Sequence, residues 1–316
     1  MITTIERGGA ENELLVLVRH QVALGNSVTI VYLKGEPELE SSFRLLGANI
    51  RRLNGSNLAK LIQLKAILAR KFDIAHAHLP RSEIFLALAN FGSKNPVSLV
   101  ATRHNAEAFY PNGLSFISRL LSRIVLSRYS SLISISKAVE SYLVNSGEVP
   151  KGTKRSVIYY GFDDSKEKQL IINEIMEKDK SIFLFVGRLT AQKNIPVLLI
   201  AFRKYLESGN HGSLHIYGEG AMEKELKSLA GDIEKHVYWH SKSSDVLRIM
   251  KRSSCLILPS RYEGFGLVLL EAMQAELPII AANNSAIPEV LGEDHPCLYP
   301  TDNAEMLSNL LAKIQE

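Results

Sequence analysis

Two glutamates stand eight positions apart in "SRYEGFGLVLLEAM", Glu263 beside a pair of glycines and Glu271 inside an apolar run. Paired carboxylates suggest acid/base work on a glycosidic bond. With Glu271 on a helix beginning near Gly266 and Glu263 just before it, eight residues at ~1.5 Å rise would hold them on the order of 12 Å apart. Carboxylates acting across one glycosidic bond need roughly 5 to 9.5 Å. Two contacts along one extended ligand fit the spacing better. Glu271, flanked by Leu269, Leu270, Ala272 and Met273, reads as a partnered, half-buried carboxylate.

Two further loops carry charge or glycine. Arg188 and Lys193 lie five positions apart after "FLFVG", a pattern suited to gripping a diphosphate, bidentately by Arg and as a point charge by Lys. Arg261-Tyr262-Glu263-Gly264-Phe265-Gly266 follows "LILPS" and opens a helical pattern, whose first backbone N–H groups and dipole favour an anion. Together they describe a phosphate cradle. His76 and His78 alternate on one strand and point the same way, but two ligands from one strand with no evident third do not make a metal site. His78 is placed near the strand end, and His76 reads as a satisfied core residue.

These residues need strand ends to hold them. Apolar strand-like runs ("SVTIVYL", "DIAHAH", "VSLVATRH", "SSLISIS") alternate with helical patterns, among them "NLAKLIQLKAILARKF" with Asn57 as N-cap and "AENELLVLVRHQVALG" closed by Gly25. The rhythm resumes with "SIFLFVG", "SLHIYG", "HVYW", "SCLILP" and "LPIIAA". Such alternation predicts βαβ units and parallel sheets covered on both faces, with ligands at the carboxyl ends of the strands. "IYYGFDDSKEKQ" separates the halves, so two doubly wound α/β domains are expected, at 1–161 and 162–316.

The bulk numbers agree with a globular chain: 316 residues, 46% hydrophobic and 22% charged. No run reaches the roughly 18 to 20 apolar residues of a membrane span, and the start resembles neither signal peptide nor presequence, so a cytosolic protein is expected. Cys255 and Cys297 are too few for a metal cluster or disulfide framework. The net +4 conceals an asymmetry. Residues 1–160 carry 20 Lys/Arg against 11 Asp/Glu, and residues 161–316 carry 17 against 22. A basic first half suits an anionic partner such as phospholipid, phosphorylated substrate or nucleic acid. Within it, "FISRLLSRIVLSRY" sets Arg119 and Arg123 beside Ile117, Leu120, Leu121 and Ile124. That helix either lies on an anionic membrane surface or packs its apolar stripe on the sheet.

"VGRLTAQKN", "YGEGAMEKEL" and "EGFGLVLLEA", in that order, resemble the C-terminal domain of glycosyltransferase family 4, the retaining GT-B enzymes. "ERGGAENELL", "DIAHAHLPR" and "ATRHNAE" resemble its N-terminal domain. The resemblance implies a GT-B fold, two Rossmann-like domains facing a central cleft. It also implies a retaining sugar transfer from a nucleotide donor, a UDP-hexose or UDP-N-acetylhexosamine, to a surface-polysaccharide or lipid-linked glycan acceptor. Arg188 and Lys193 would hold the diphosphate, Glu271 the ribose hydroxyls and Glu263 the donor sugar, with His104 facing the transferred sugar. Backbone amides around Phe265, Gly266 and Leu267 would bind sugar or phosphate oxygens, and Gly8 and Gly9 would let a loop approach the diphosphate. No Asp-x-Asp motif is present, Asp163 and Asp164 being adjacent, so transfer without metal or other cofactor is implied. The implied partners are the donor, the glycan or lipid-linked acceptor and an anionic membrane surface at the inner face of the plasma membrane, not nucleic acid. A non-catalytic nucleotide-sugar-binding or scaffold protein, and a GT-B epimerase, are the alternatives. A dinucleotide oxidoreductase is disfavoured, because no Gly-x-Gly-x-x-Gly follows a first strand.

The sequence departs from the family at three places. Only Met1 to Ile5 precede the glycine loop, which predicts a first strand largely missing, with its neighbours' backbone groups unpaired. The helices that cross back after the last one are expected to be missing as well. His240 stands where the family often has glycine near the base.

Overall fold

The computed structural model describes residues 1–110, 114–161, 181–241, 243 and 245–315. The Asp163–Asp164 pair lies outside them. The chain divides into two compact units, Met1–Asp163 and Asp164–Glu316.

In the first unit the strands are β1 (Thr29–Tyr32), β2 (Asn49–Arg52), β3 (Ile74–His78), β4 (Ser98–Arg103), β5 (Ser131–Ser134) and β6 (Arg155–Val157). The helices are α1 (Gly9–Ala23), α2 (Glu40–Leu45), α3 (Asn57–Leu68), α4 (Pro80–Asn90), α5 (Ser115–Leu126) and α6 (Lys137–Asn145). All strand pairs are parallel, β1 with β2 and, separately, β3-β4-β5-β6 in order. Ser56, not Asn57, caps α3, its hydroxyl accepting from the Ala59 amide. Ser136 does the same for α6.

The short N-terminal segment corrects one expectation. Residues Met1 to Thr3 lie between the two sheets and bond to both: Ile2 N donates to Val31 O, Leu33 N to Thr3 O, and His78 N to Met1 O. Ile2 forms a parallel bridge with Tyr32, and Ile2 and Ile5 are completely buried among Leu14, Val18, Tyr32 and Phe43. These residues therefore pair the carboxyl-terminal ends of β1 and β3, where ligands are expected. Exposure of an apolar neighbour holds only at the opposite end, where Ile74 is 60% exposed.

The second unit has a six-stranded parallel sheet, β12-β11-β10-β7-β8-β9. Its strands are β7 (Ile182–Val186), β8 (Ser213–Tyr217), β9 (Val237–His240), β10 (Cys255–Leu258), β11 (Ile279–Ala282) and β12 (Leu298–Tyr299). Between and after them run α7 (Ile195–Glu207), α8 (Glu223–Ala230), α9 (Val246–Arg252), α10 (Leu267–Gln274), α11 (Ile287–Leu291) and α12 (Ala304–Gln315). Phe183, Phe185, Leu214 and Ile216 face one apolar cluster with α7 and α12; Leu184, Leu256 and Leu258 face another with α9 and α10. Alternate residues thus feed opposite layers, as a strand buried on both faces requires.

Because the Ile5 side chain is completely buried, while its carbonyl bond from the Leu39 amide survives truncation, Ile5→Ala should lower unfolding free energy by about 2 to 4 kcal/mol. Urea denaturation followed by circular dichroism measures this.

Candidate functional site

In the second unit, loops from neighbouring strand ends meet. After β7 the chain passes Arg188, which is exposed, and enters a 3₁₀ turn, Ala191–Lys193. Lys193 is held inward, its Nζ donating to Glu263 Oε1 at 2.6 Å. The same oxygen accepts from Ser260 Oγ at 2.6 Å, and the Glu263 amide donates to Ser285 Oγ at 2.7 Å. Asn284 Nδ2 donates to Ser260 O and to Thr301 Oγ1, so the loops after β10, β11 and β12 share one polar layer. Gln192 joins it, accepting from the Arg261 amide and donating to Tyr262 O. Glu263 is therefore buried and partnered, and Lys193 arrives with its charge already matched.

Gly264, Phe265 and Gly266 follow, all buried, and Gly266 sits at φ +91° as the N-cap of α10. That conformation favours glycine. It turns the chain so that α10 begins at Leu267 with its N-terminus beside Glu263. Glu271 lies in the second turn, half-buried. Glu263 lies just before the helix and Glu271 within it, the arrangement on which the ~12 Å spacing rests. The two carboxylates occupy different elements.

The Arg188 loop is located by backbone contact. Gly187 N donates to Tyr217 O, Leu189 N to Glu219 O, and Gly218 N to His240 O. Gly218 has φ +150°, and a Cβ there would stand 1.9 Å from the Gly187 carbonyl oxygen. The glycine of "YGEG" thus permits two loops to touch; the sequence showed the residue without its partner. His240 stacks on Tyr217, ring centroids 4.1 Å apart and 9° from parallel, and its Nε2 meets His215 Nδ1 at 3.1 Å.

In the first unit, Gly8 caps α1 with an extended backbone, φ −156°, which any residue adopts. Its restriction is the Glu11 carboxylate, which lies 2.5 Å from where a Cβ would be. Gly9 opens α1, so the glycine loop ends on a helix N-terminus that already has an acidic side chain in its first turn. His104 follows β4 and is 7% exposed. Its Nε2 meets His78 Nδ1 at 3.1 Å and its Nδ1 bonds the Tyr160 hydroxyl, so both ring nitrogens are engaged within the protein. His76 Nε2 bonds Thr102 Oγ1 at 2.7 Å. Burial holds all three rings neutral: His76 is lowered to about 4, His104 to about 3, and His78 well below its usual value, with neighbouring positive charge adding to burial. Tyr160, whose hydroxyl burial holds protonated, was not foreseen; its position after β6 in the chain says nothing of its contact with His104. Among the described residues no group of three or more His, Cys, Asp or Glu side chains is arranged to hold a metal ion.

The family profile described as Glycosyltransferase Family 4 matches residues 7–166, and that described as Glycosyl transferases group 1 matches residues 166–316. The chain belongs to glycosyltransferase family 4. Its paired Rossmann-like units are the GT-B fold. An uncharacterized glycosyltransferase of Methanocaldococcus jannaschii, MJ1607, is 30% identical over 238 residues, which are 70% of this chain and 60% of that protein. The O-antigen biosynthesis glycosyltransferase WclY of Escherichia coli is 26% identical over 259 residues, 78% of this chain and 70% of that one. The chain spans 60% and 49% of the lengths of MJ1607 and a second M. jannaschii relative, MJ1059. Among solved structures, Anabaena Alr3699/HepE in complex with UDP superposes with a TM-score of 0.78 at 18% identity, over 99% of this chain and 88% of that one. Sucrose-phosphate synthase from Thermosynechococcus elongatus superposes with a TM-score of 0.77 at 19% identity, over 97% and 84%.

Two predictions follow from the geometry of this family 4 member. Gly218→Ala should destabilise the second unit by more than about 1 kcal/mol, because positive φ and the Gly187 contact both oppose a Cβ; a thermal melt tests it. Histidines held neutral in the fold take up protons more readily when unfolded, so acidification favours unfolding. Their contribution is complete above pH ~6.5 and is lost as pH falls toward the folded values near 4 and 3. His76→Gln keeps an acceptor or donor for Thr102 and should flatten urea-unfolding stability between pH 6.5 and 4, by up to about 1.4 kcal/mol per pH unit.

Proposed function

We propose that this protein transfers a hexose or N-acetylhexosamine from a UDP-linked donor to a surface-polysaccharide or lipid-linked glycan acceptor, with retention at the anomeric carbon. The observation that carries this reading is the polar layer around Glu263, where Lys193, Ser260 and Ser285 fix a carboxylate beside the N-terminus of α10. The UDP named with Alr3699/HepE and the O-antigen role in the name of WclY support the donor and acceptor classes.

In this reading, the anomeric carbon's bond to the diphosphate breaks as its bond to the acceptor hydroxyl oxygen forms, the hydroxyl's proton passes to the departing diphosphate oxygen, and the negative charge that builds on the diphosphate leaves with UDP. Arg188, exposed on its loop, and the backbone N–H groups from Phe265 to Leu267 stabilise that charge. Lys193 contributes once the diphosphate competes with Glu263 for its ammonium group. Glu263 is positioned for the donor sugar, Glu271 for the ribose, and Gly8 and Gly9 for approach to the diphosphate. His104 is the residue assigned to the transferred sugar, its ring orientation held by His78 and Tyr160. Arg188 and Lys193 supply charge that a metal otherwise would, so the reaction proceeds without metal. The protein works on the cytoplasmic side of the membrane; among the described residues no helix is long and apolar enough to cross it.

A panel of nucleotide sugars scored by released nucleoside diphosphate tests the reading. Turnover of a UDP-sugar, unchanged by a chelator, is expected. Arg188→Ala should lower kcat by 10²-fold or more, and Glu271→Gln should weaken UDP binding about tenfold by calorimetry, the loss expected for one charged hydrogen bond. Binding of UDP without turnover of any donor would favour the non-catalytic reading, and absence of both would reject the site.

A further inference from the structure

Helix α5 is oriented opposite to the usual amphipathic rule. Ser118, Ser122, Val125 and Leu126 face the protein, while Phe116, Leu120 and Ile124, each more than half exposed, form the centre of the outward face. Ile117 and Leu121 widen that face on the side away from the arginines. Arg119 and Arg123 run along one flank, both exposed. The outward row is therefore apolar with a basic edge, and the expectation that this stripe packs on the sheet is overturned.

The reason lies beneath the helix. Arg103, at the end of β4, forms ion pairs with Glu83 of α4 at 2.7 Å and with Glu148 at 3.5 Å, all three almost completely buried. Its Nη2 donates to Ser122 Oγ at 3.1 Å, and Ser118 Oγ donates to Glu148 Oε1 at 3.0 Å while accepting from the Tyr110 amide. A buried charge cluster needs polar neighbours, and two serines one helical turn apart supply them. Pointing those serines inward necessarily points the Phe116–Leu120–Ile124 row outward.

The patch continues past the helix. Arg128, just beyond α5, lies over the ring of Phe91 at the end of α4, 4.4 Å from its centroid. Phe91 is itself 60% exposed, and Leu88, one turn earlier, is exposed too. From Ala108 to Val139 the sequence contains Arg119, Arg123, Arg128 and Lys137 and no Asp or Glu. An apolar row this long, with arginines along one flank, is complementary to a surface that is apolar inside and anionic at its boundary.

We propose that the outward face of α5, with the end of α4, docks the protein on an anionic phospholipid bilayer. The helix lies in the plane of the interface, Phe116, Leu120 and Ile124 among the upper acyl segments and the three arginines at headgroup phosphates. A second copy is a poorer occupant, since an antiparallel two-fold contact would set the Arg119–Arg123 flanks of the two copies on the same side. The proposal rests on the transferase reading only in giving the docking a purpose: Ser122 of the docked helix is bonded to Arg103, the residue before His104.

The test is co-sedimentation of the full chain with vesicles of phosphatidylcholine alone or of equal parts phosphatidylcholine and phosphatidylglycerol. Binding to the anionic vesicles alone is expected, weakening as salt is raised. Leu120→Asp should reduce it by tenfold or more, and Arg119→Glu by more than about fivefold. Unchanged thermal melts would show that both variants, at exposed positions, remain folded. Failure of the folded wild-type chain to bind anionic vesicles, or equal binding by both variants, overturns the proposal. So does a concentration-dependent dimer that Leu120→Asp abolishes, since a second copy would then cover the face. Donor turnover measured in parallel separates the two readings: turnover without vesicle binding rejects docking alone, and vesicle binding without turnover rejects the transferase reading alone.

Discussion

The contact between Lys193 and Glu263 organises the second unit's ligand-facing edge. An ion pair at 2.6 Å with both side chains largely shielded from water is costly to form unless the remaining hydrogen-bonding capacity is met nearby. Ser260 and Ser285 meet part of it, one at the carboxylate and one at the Glu263 amide. Each of these residues comes from a loop after a different strand or a different turn of the same loop. Satisfying one buried carboxylate therefore fixes the loops following β7, β10 and β11 relative to one another. It also determines the site's charge: with Lys193 and Glu263 cancelling, the positive field comes from Arg188 and the N-terminus of α10.

The first unit solves a comparable problem with adjacent residues at the end of one strand, Arg103 closing β4 and His104 following it. Arg103 and His104 face opposite sides, as neighbours in an extended chain do. Arg103 enters the carboxylate cluster of Glu83 and Glu148, and His104 enters the chain of rings with His78 and Tyr160. The cluster holds α5 by its serines, and the rings remain neutral because burial disfavours their charge. Polar groups buried as sets thus take the place of apolar packing on both sides of the end of β4, although in the Arg103 cluster Glu83 Oε1, Arg103 Nε and Glu148 Oε2 are held by ion pairing without a hydrogen bond.

Much of the architecture was legible from periodicity. Strands such as "SIFLFVG" and "SCLILP", buried on both faces, read as continuous apolar runs, and the loops that follow them meet through Lys193 and Glu263. What failed did so for identifiable reasons. The short α2 and β2 were passed over because β2 buries only Ile50 of its four residues, leaving no pattern to detect. Met1 to Thr3 are too few to show a strand period, yet two neighbouring strands recruit them. The α5 stripe has a strong helical period, but period identifies a face and not its direction. A buried Arg–Glu cluster reversed that direction, and it is assembled from Glu83, Arg103 and Glu148, positions far apart in the chain.

The sequence by itself determined the element types, the order of two βαβ units, and which loops would carry glycine, arginine and lysine at strand ends. These are local properties, governed by steric preference and apolar spacing within a few residues. Tertiary structure alone decided that Lys193 would spend its charge on Glu263, that His104 would turn both nitrogens inward, and that α5 would present its apolar row to the exterior. Each outcome depends on satisfying a buried charge or polar group with partners distant in sequence, and such balances exist only once the chain has folded.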